Sequence, residues 1–393
     1  MKILFYTLLS VLLASNLFSQ SFVLDANVEL TAAKFLPDNI PQRRINTNFR
    51  NDDPFNAVRI KLFPRLIFNE TFSIEGDFLF DNKMHKINKP KEKEYLRADG
   101  LFLSVRNLFD NKINFWIGKV FSPVGQFTHR SYSHQNPLIG FPLAYHYKVP
   151  FSGYKAFDET TSLFFRDNML PGVTTIYEAC WMTGVTAFGI WNNVEYTAFA
   201  GKGGLSNPEP KEDGGLQYAG RIGYVSENFR FGVSYGIAPY LEHRGEKLPL
   251  GMDASEPKHK LLGLDANLYN ETWKVFLEVF LNTFDTPQYQ KEKSIQAYTW
   301  FIEGQYFLFD NFYTAFRFDQ MLYSDITNPV TKAKTPWGYD VTRIEAGVGY
   351  SPFRELNIKA VLQNNSLAFP TTKRITILAL QTTFRFENIQ QYF

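Results

Sequence analysis

The side chains able to do covalent chemistry in this chain are few. His129, Ser131, Ser133 and His134 stand close together, and a serine hydroxyl beside an imidazole is the minimal nucleophile-and-base pair of a hydrolase. A lipase- or protease-type enzyme is therefore one reading, although it is not the one expected here. The single cysteine, Cys180, has no partner for an internal disulfide and lies far from the amino terminus, where a lipid-modified cysteine would stand. The six histidines show no metal-ligand spacing, so neither metal nor cofactor is expected. Lys and Arg total 41 against 39 Asp and Glu, a balance that points away from nucleic acid.

The elements that must position these residues begin with an export signal. Met1 and Lys2 precede an apolar run from Ile3 to Leu13, followed by Ala14, Ser15, Asn16 and Ser19. That is the pattern of a cleaved signal peptide over residues 1–20, leaving 21–393 as one domain. A helix needs roughly 20 apolar residues to span a bilayer. No later stretch comes near that, so any membrane passage has to be made by strands.

Period-two alternation, the mark of a sheet with unlike faces, recurs along the chain. Val58, Ile60, Leu62, Leu66 and Phe68 fall on one face, with Arg59, Lys61 and Arg65 on the other. Past Asn69–Thr71, Phe72, Ile74, Phe78 and Phe80 alternate with Ser73, Glu75 and Asp77. The same unit returns around Ser226–Asn228, Asn270–Glu271, Asp310–Asn311 and Ser351–Pro352, and in weaker form around Asp110–Asn111 and Asn192–Asn193. Seven hairpins, a first strand near Phe22–Leu30 and a last near Arg374–Phe386 give about 16 strands. The fold class expected is all-β, a transmembrane antiparallel barrel with apolar side chains toward lipid and polar ones toward the lumen. Short turns would then be periplasmic and long connections outside the cell, with aromatic residues such as Phe68, Phe72, Tyr224 and Phe229 beside the turns as an interfacial girdle.

A barrel of this size keeps an aqueous channel, so an outer-membrane porin passing small hydrophilic solutes or ions is the function expected. The pore lining expected from the polar phase is Arg59, Lys61, Arg65, Glu75, Asp77, Arg221, Arg230, Lys274, Glu278, Glu303, Arg317, Asp319, Arg343, Glu345 and Lys359. The third outer connection, 122–183, is the longest, and connections of that length are usually functional. It is expected to fold into the lumen as a constriction carrying His129, Arg130, His134, His146 and Lys148, with Lys155, Asp158, Glu159 and Asp167 further on; an outer cap of solvated charges is the other reading. Basic residues slightly favour anions. A blocked structural or adhesive barrel is the remaining alternative.

Asn136–Tyr145, preceded by Gly118–Lys119 and Ser122–Gly125, resembles porin-type barrels of Bacteroidetes and, more distantly, the phosphate-selective porin O and P family. Ala179–Gly184, Glu195–Tyr196 and Gly201–Pro208 are similar in the same proteins. The resemblance implies 16 strands, an outer-membrane address and small-solute diffusion, often through homotrimers. The chain shows no dense Arg and Lys ladder through its lumen. Its carboxyl end, Tyr392–Phe393, looks like the signal read by the barrel assembly machinery.

Overall fold

The computed structural model describes residues 21–36, 57–82, 95–149, 173–176, 181–206, 215–241, 248–287, 293–327, 332–368 and 373–392. The expected signal peptide, Lys155, Asp158, Glu159, Asp167, Cys180 and Phe393 fall outside them. In chain order the strands are β1 (Ser21–Leu36), β2 (Ala57–Ile67), β3 (Phe72–Asp81), β4 (Leu96–Leu108), β5 (Ile113–Phe121), β6 (Trp181–Trp191), β7 (Val194–Lys202), β8 (Leu216–Val225) and β9 (Phe229–Pro239). They continue with β10 (Lys258–Tyr269), β11 (Trp273–Asp285), β12 (Ser294–Phe309), β13 (Phe312–Tyr323), β14 (Asp325–Thr327), β15 (Lys334–Pro336), β16 (Val341–Phe353), β17 (Leu356–Leu367) and β18 (Lys373–Tyr392).

All except β14 and β15 close into one antiparallel barrel of sixteen strands, each paired with its sequence neighbour. The seam is β1 against β18, running from Ser21 opposite Tyr392 to Leu36 opposite Thr376. Closure pairs both edges, as a sheet in hydrocarbon requires. β1 extends to Leu36, beyond the Phe22–Leu30 expected, because Ala32, Ala33 and Lys34 break the greasy alternation without breaking the ladder. The short β14–β15 ribbon inside the connection 324–340 was not expected.

The hairpins at Asp110–Asn111 and Asn192–Asn193 form. Asn111 (φ 63°) and Asn192 (φ 54°) take left-handed backbone, which asparagine tolerates better than most residues. Along the strands the apolar phase points outward: Leu216, Tyr218, Ile222, Phe231, Val233, Leu262, Leu264, Ile302, Phe316 and Leu362 are all exposed on the barrel's outer surface. Among the described residues no helix is long and apolar enough to cross a membrane.

The opposite phase is not uniformly polar. Phe280, Phe284, Ile295, Phe301, Met321 and Ile377 also face inward and are fully buried. They pack inside the barrel against Leu138, Leu143, Tyr145 and Val149 of the third long connection. Each large apolar side chain so buried contributes roughly 1.5–3 kcal/mol. The molecule's core thus lies in its lumen, built by wall and inserted segment together.

Candidate functional site

The third connection leaves β5 at Phe121 and turns directly into the barrel. A 3₁₀ turn at Phe127–Arg130 and a one-turn helix α1 at Leu143–His146, entered after Pro142, give it local shape. Two glycines let its backbone touch the wall. A Cβ on Gly125 (φ 69°) would stand 2.1 Å from Tyr145 Oη and 2.7 Å from Glu278 Oε2. On Gly140 it would stand 2.4 Å from Glu345 Oε2. Side chains are excluded at both points, so glycine is the residue that fits.

The wall facing this segment is a row of alternating charge. Glu303, Arg317, Glu345 and Gln363 are register partners across β12, β13, β16 and β17, and opposite charges directly across strands support one another. The segment's backbone completes the row. The amides of Gln126 and Gly140 donate to Glu278 (3.0 Å) and Glu345 (2.8 Å), and that of Leu143 donates to Asp319 (2.7 Å). Arg317 donates to the Gly140 carbonyl and Arg343 to that of Phe141, each at 2.8 Å. Lys359 Nζ donates to three carbonyls, Ser133 (2.7 Å), Asn136 (3.0 Å) and Leu138 (3.1 Å).

These contacts revise the expected lining. Glu278, Glu303, Arg317, Asp319, Arg343, Glu345 and Lys359 do face inward, but they are buried beneath the segment and hold it instead of bordering free lumen. Arg130, expected to filter solutes, pairs with Glu303 and lays its guanidinium 3.8 Å over the Phe276 ring. His146 is buried edge-on against Phe141, and Lys148 pairs through its backbone with Thr174. The segment's charges mostly anchor it.

Free space remains on two sides. An outer cavity of about 60 Å³, toward the long connections, is lined by Arg59, Lys61, Asp81, Arg97, Asp99 and Tyr132. An inner cavity of about 470 Å³, toward the short turns, is lined by Trp116, Phe121, His129, Phe188, Glu195, Arg221 and Arg230. Of the segment, Ser131, Tyr132, Asn136 and Ile139 are among the residues that border the first, and Ser122, Gly125, Gln126 and His129 among those that border the second. Lys61 bonds Asp77 and Asp99 at 3.2 Å each, and Tyr132 Oη donates to Asp77 at 2.9 Å. Arg65 lies in register with Glu75, which also bonds Arg106, and Lys274 sits 5.4 Å over the Phe307 ring. Arg65, Glu75 and Lys274 border neither cavity. Asp81, Arg97, Asp99 and Glu195, which are not among the expected lining residues, do border one. Arg97 and Asp99 open a strand, β4, whose Gly100–Leu103 run is apolar on both faces and hides the alternation.

Burial sets the protonation of the segment's rings. His129 is held down to about 4 by burial and then by Arg230 and Arg221, against a smaller opposite pull from Glu195. His134 accepts from the Asn27 amide (2.9 Å) and is held down to about 3 by burial, then by Arg385, Lys359 and Lys61. Both are neutral at pH 7. Burial and the adjacent Asp77 push the Tyr132 phenol well above its ordinary range.

The serine and histidine cluster does not assemble a hydrolytic pair. Ser131 donates to the Thr128 carbonyl (2.9 Å), and among the described residues neither Ser131 nor Ser133 bonds His129 or His134. A separate run joins Ser206 Oγ to His259 Nδ1 (3.5 Å) and His259 Nε2 to Asn282 Oδ1 (2.9 Å). It is buried, with His259 stacked 4.1 Å on Phe284, and borders neither cavity.

A closed sixteen-stranded antiparallel barrel, greasy outside, with a long connection packed across its lumen, has the fold of outer-membrane barrel proteins. Among solved structures, the anion-selective porin from Comamonas acidovorans is similar at a TM-score of 0.57 and 8% identity, covering 93% of this chain and 100% of that one. Salmonella typhi OmpF in complex with daunomycin follows at 0.54 and 10%, covering 93% and 97%. OmpT of Vibrio cholerae, folded in vitro and described in a trimer form, follows at 0.53 and 9%, covering 93% and 99%. At these identities the likeness is one of fold. No protein-family model matches the sequence, and no curated protein matches it either.

Proposed function

We propose that this chain is an outer-membrane porin, a non-enzymatic diffusion channel for small hydrophilic solutes, with a weak preference for anions. The observation that carries the reading is the arrangement of the lumen: a segment braced across a closed barrel, with a cavity bordered by charged side chains on either side of it. A segment so placed narrows passage and restricts it to small solutes.

The anion preference rests on which half of each ion pair meets the lumen. Side-chain exposure is 23% for Arg59 against 4% for Asp81, 14% for Arg97 against 4% for Asp99, and 34% for Arg230 against 8% for Glu195. The cation is the more accessible partner in all three. Each is nevertheless already matched to a carboxylate, which favours general passage over the phosphate specificity that the porin O and P resemblance would suggest. The same reading includes export with a cleaved signal peptide, assembly through the terminal Phe393 by the barrel machinery, and homotrimers in the manner of the OmpT neighbour.

Single-channel recording in planar bilayers tests it. Discrete conductance steps are expected, with a reversal potential in a KCl gradient displaced modestly toward chloride. A folded protein that never conducts would refute the channel, and a strong potassium preference would refute the anion bias.

A further inference from the structure

The inner cavity has two unlike walls. On one side, rings from β5 and β6 form a continuous column: Trp116 lies 4.3 Å from Phe188 and 6.1 Å from Phe121, and Phe121 stacks 4.0 Å on Trp181. Three of them, Trp116, Phe121 and Phe188, border the cavity. These half-buried rings keep apolar surface that a ligand's own apolar face could cover.

The facing wall is polar and electrically matched. Glu195 joins Arg221 and Arg230, and Arg221 also takes Asp265 with both Nε (2.9 Å) and Nη2 (2.7 Å). Two cations against two carboxylates leave the wall with no net charge. The wall is fixed in place: on Gly232 a Cβ would stand 2.3 Å from Arg221 Nη2, so the absence of a side chain there is what lets the guanidinium lie flat on the sheet. Arg230, one-third exposed, presents its remaining donors to the space.

We infer that the inner cavity is a binding site for neutral saccharides of one or two rings, in which the sugar's C–H face lies on Trp116 and Phe188 and its hydroxyls bond to Arg230 and Glu195. A ring sugar combines a weakly positive C–H face, which suits the negative face of an aromatic ring, with a rim of hydroxyls that both donate and accept. A wall of fixed donors and acceptors with no net charge meets that rim. About 470 Å³ falls in the range of small-molecule sites, roughly 300–1,000 Å³. The inference names a substrate class for the proposed pore and rests on that reading for its transport role.

The full chain folded in detergent is titrated with glucose and maltose while tryptophan fluorescence is followed, with mannitol as an acyclic polyol that has no ring face. Saturable change with the ring sugars, absent with mannitol and absent in W116F, is expected. Affinity should fall about tenfold in Phe188→Ala, the loss of one ring contact. Arg230→Gln provides a second variant with the rings intact and should weaken binding without moving the tryptophan emission of the free protein. In parallel, bilayer recordings should show transient block by maltose that F188A shortens. No saturable change in the native chain, or an equal response to mannitol, overturns the saccharide site even if the protein conducts. Sugar binding by a protein that does not conduct upholds the site and overturns the pore.

Discussion

Replacing Lys359 by methionine removes one charge from the wall and, with it, the grip on three backbone carbonyls. Lys359 Nζ is the donor to Ser133, Asn136 and Leu138 at 2.7–3.1 Å, and the side chain is fully buried. Methionine fills much of the same volume, so the loss is one of hydrogen bonding and charge rather than packing. A buried hydrogen bond to a charged group is worth about 1.5–3 kcal/mol. The three bonds share one donor and do not add in full, so about 3 kcal/mol is a conservative total. That corresponds to roughly a 150-fold shift in the balance between seated and unseated segment. If residues 133–138 brace the lumen, K359M channels should open to a higher conductance state and vesicles carrying them should admit larger solutes. Lys359→Arg, which keeps the charge, should stay closer to the native chain. A K359M protein with native conductance, native size cut-off and native unfolding midpoint would refute the bracing role.

Gly140→Val should unseat the same segment from the Glu345 and Gln363 side, where a Cβ has no room, and limited proteolysis should then cut within 122–149 faster than in the native barrel. Acid should act on the two histidines. Their folded pKa values, about 4 and about 3, lie below the ordinary 6.5. The unfolded or unseated state therefore takes protons first, and stability that is complete above pH 6.5 declines as pH falls toward 4 and 3. Conductance measured against pH should change over that window and change less in a His129→Gln, His134→Gln double variant. Neutralising the two partly exposed cations in Arg59→Gln, Arg230→Gln should move the reversal potential toward potassium. On the outer surface, Leu264→Lys places a charge at mid-strand on a half-exposed position and should cost about 2–4 kcal/mol in lipid, read as a lower urea midpoint in vesicles.

The hairpins and the outward face were legible in the chain because alternation with period two survives any lumen filling. Leu216, Ile222, Val233, Leu264 and Ile302 announce the outer surface with no tertiary knowledge at all. The inward phase of Arg59, Arg221, Arg317 and Lys359 was legible for the same reason. What those side chains meet was not, since the partners arrive from a segment up to some 220 residues away in sequence, as with Lys359 and Leu138. One signal did exist. Phe276, Phe280 and Phe284 occupy the inward phase of β11 together with Glu278 and Asn282, and a water-filled lumen would not select three phenylalanines there. Their presence points to an apolar cover, which Phe127, Tyr145 and Tyr240 supply. Arg97 and Asp99 escaped for the opposite reason: with Gly100, Leu101 and Phe102 following, β4 shows no clean two-residue rhythm from which to read a side.

The seam between β1 and β18 makes the first and last strands mutual partners across nearly the whole chain. Until they meet, the growing sheet carries two open edges of unpaired amides and carbonyls, each a template for the wrong neighbour. Contacts so distant in sequence form slowly. A chain halted before its last strand would lack not one-sixteenth of its wall but the means to shut it, so maturation of this molecule is closer to fastening a clasp than to adding a final plank.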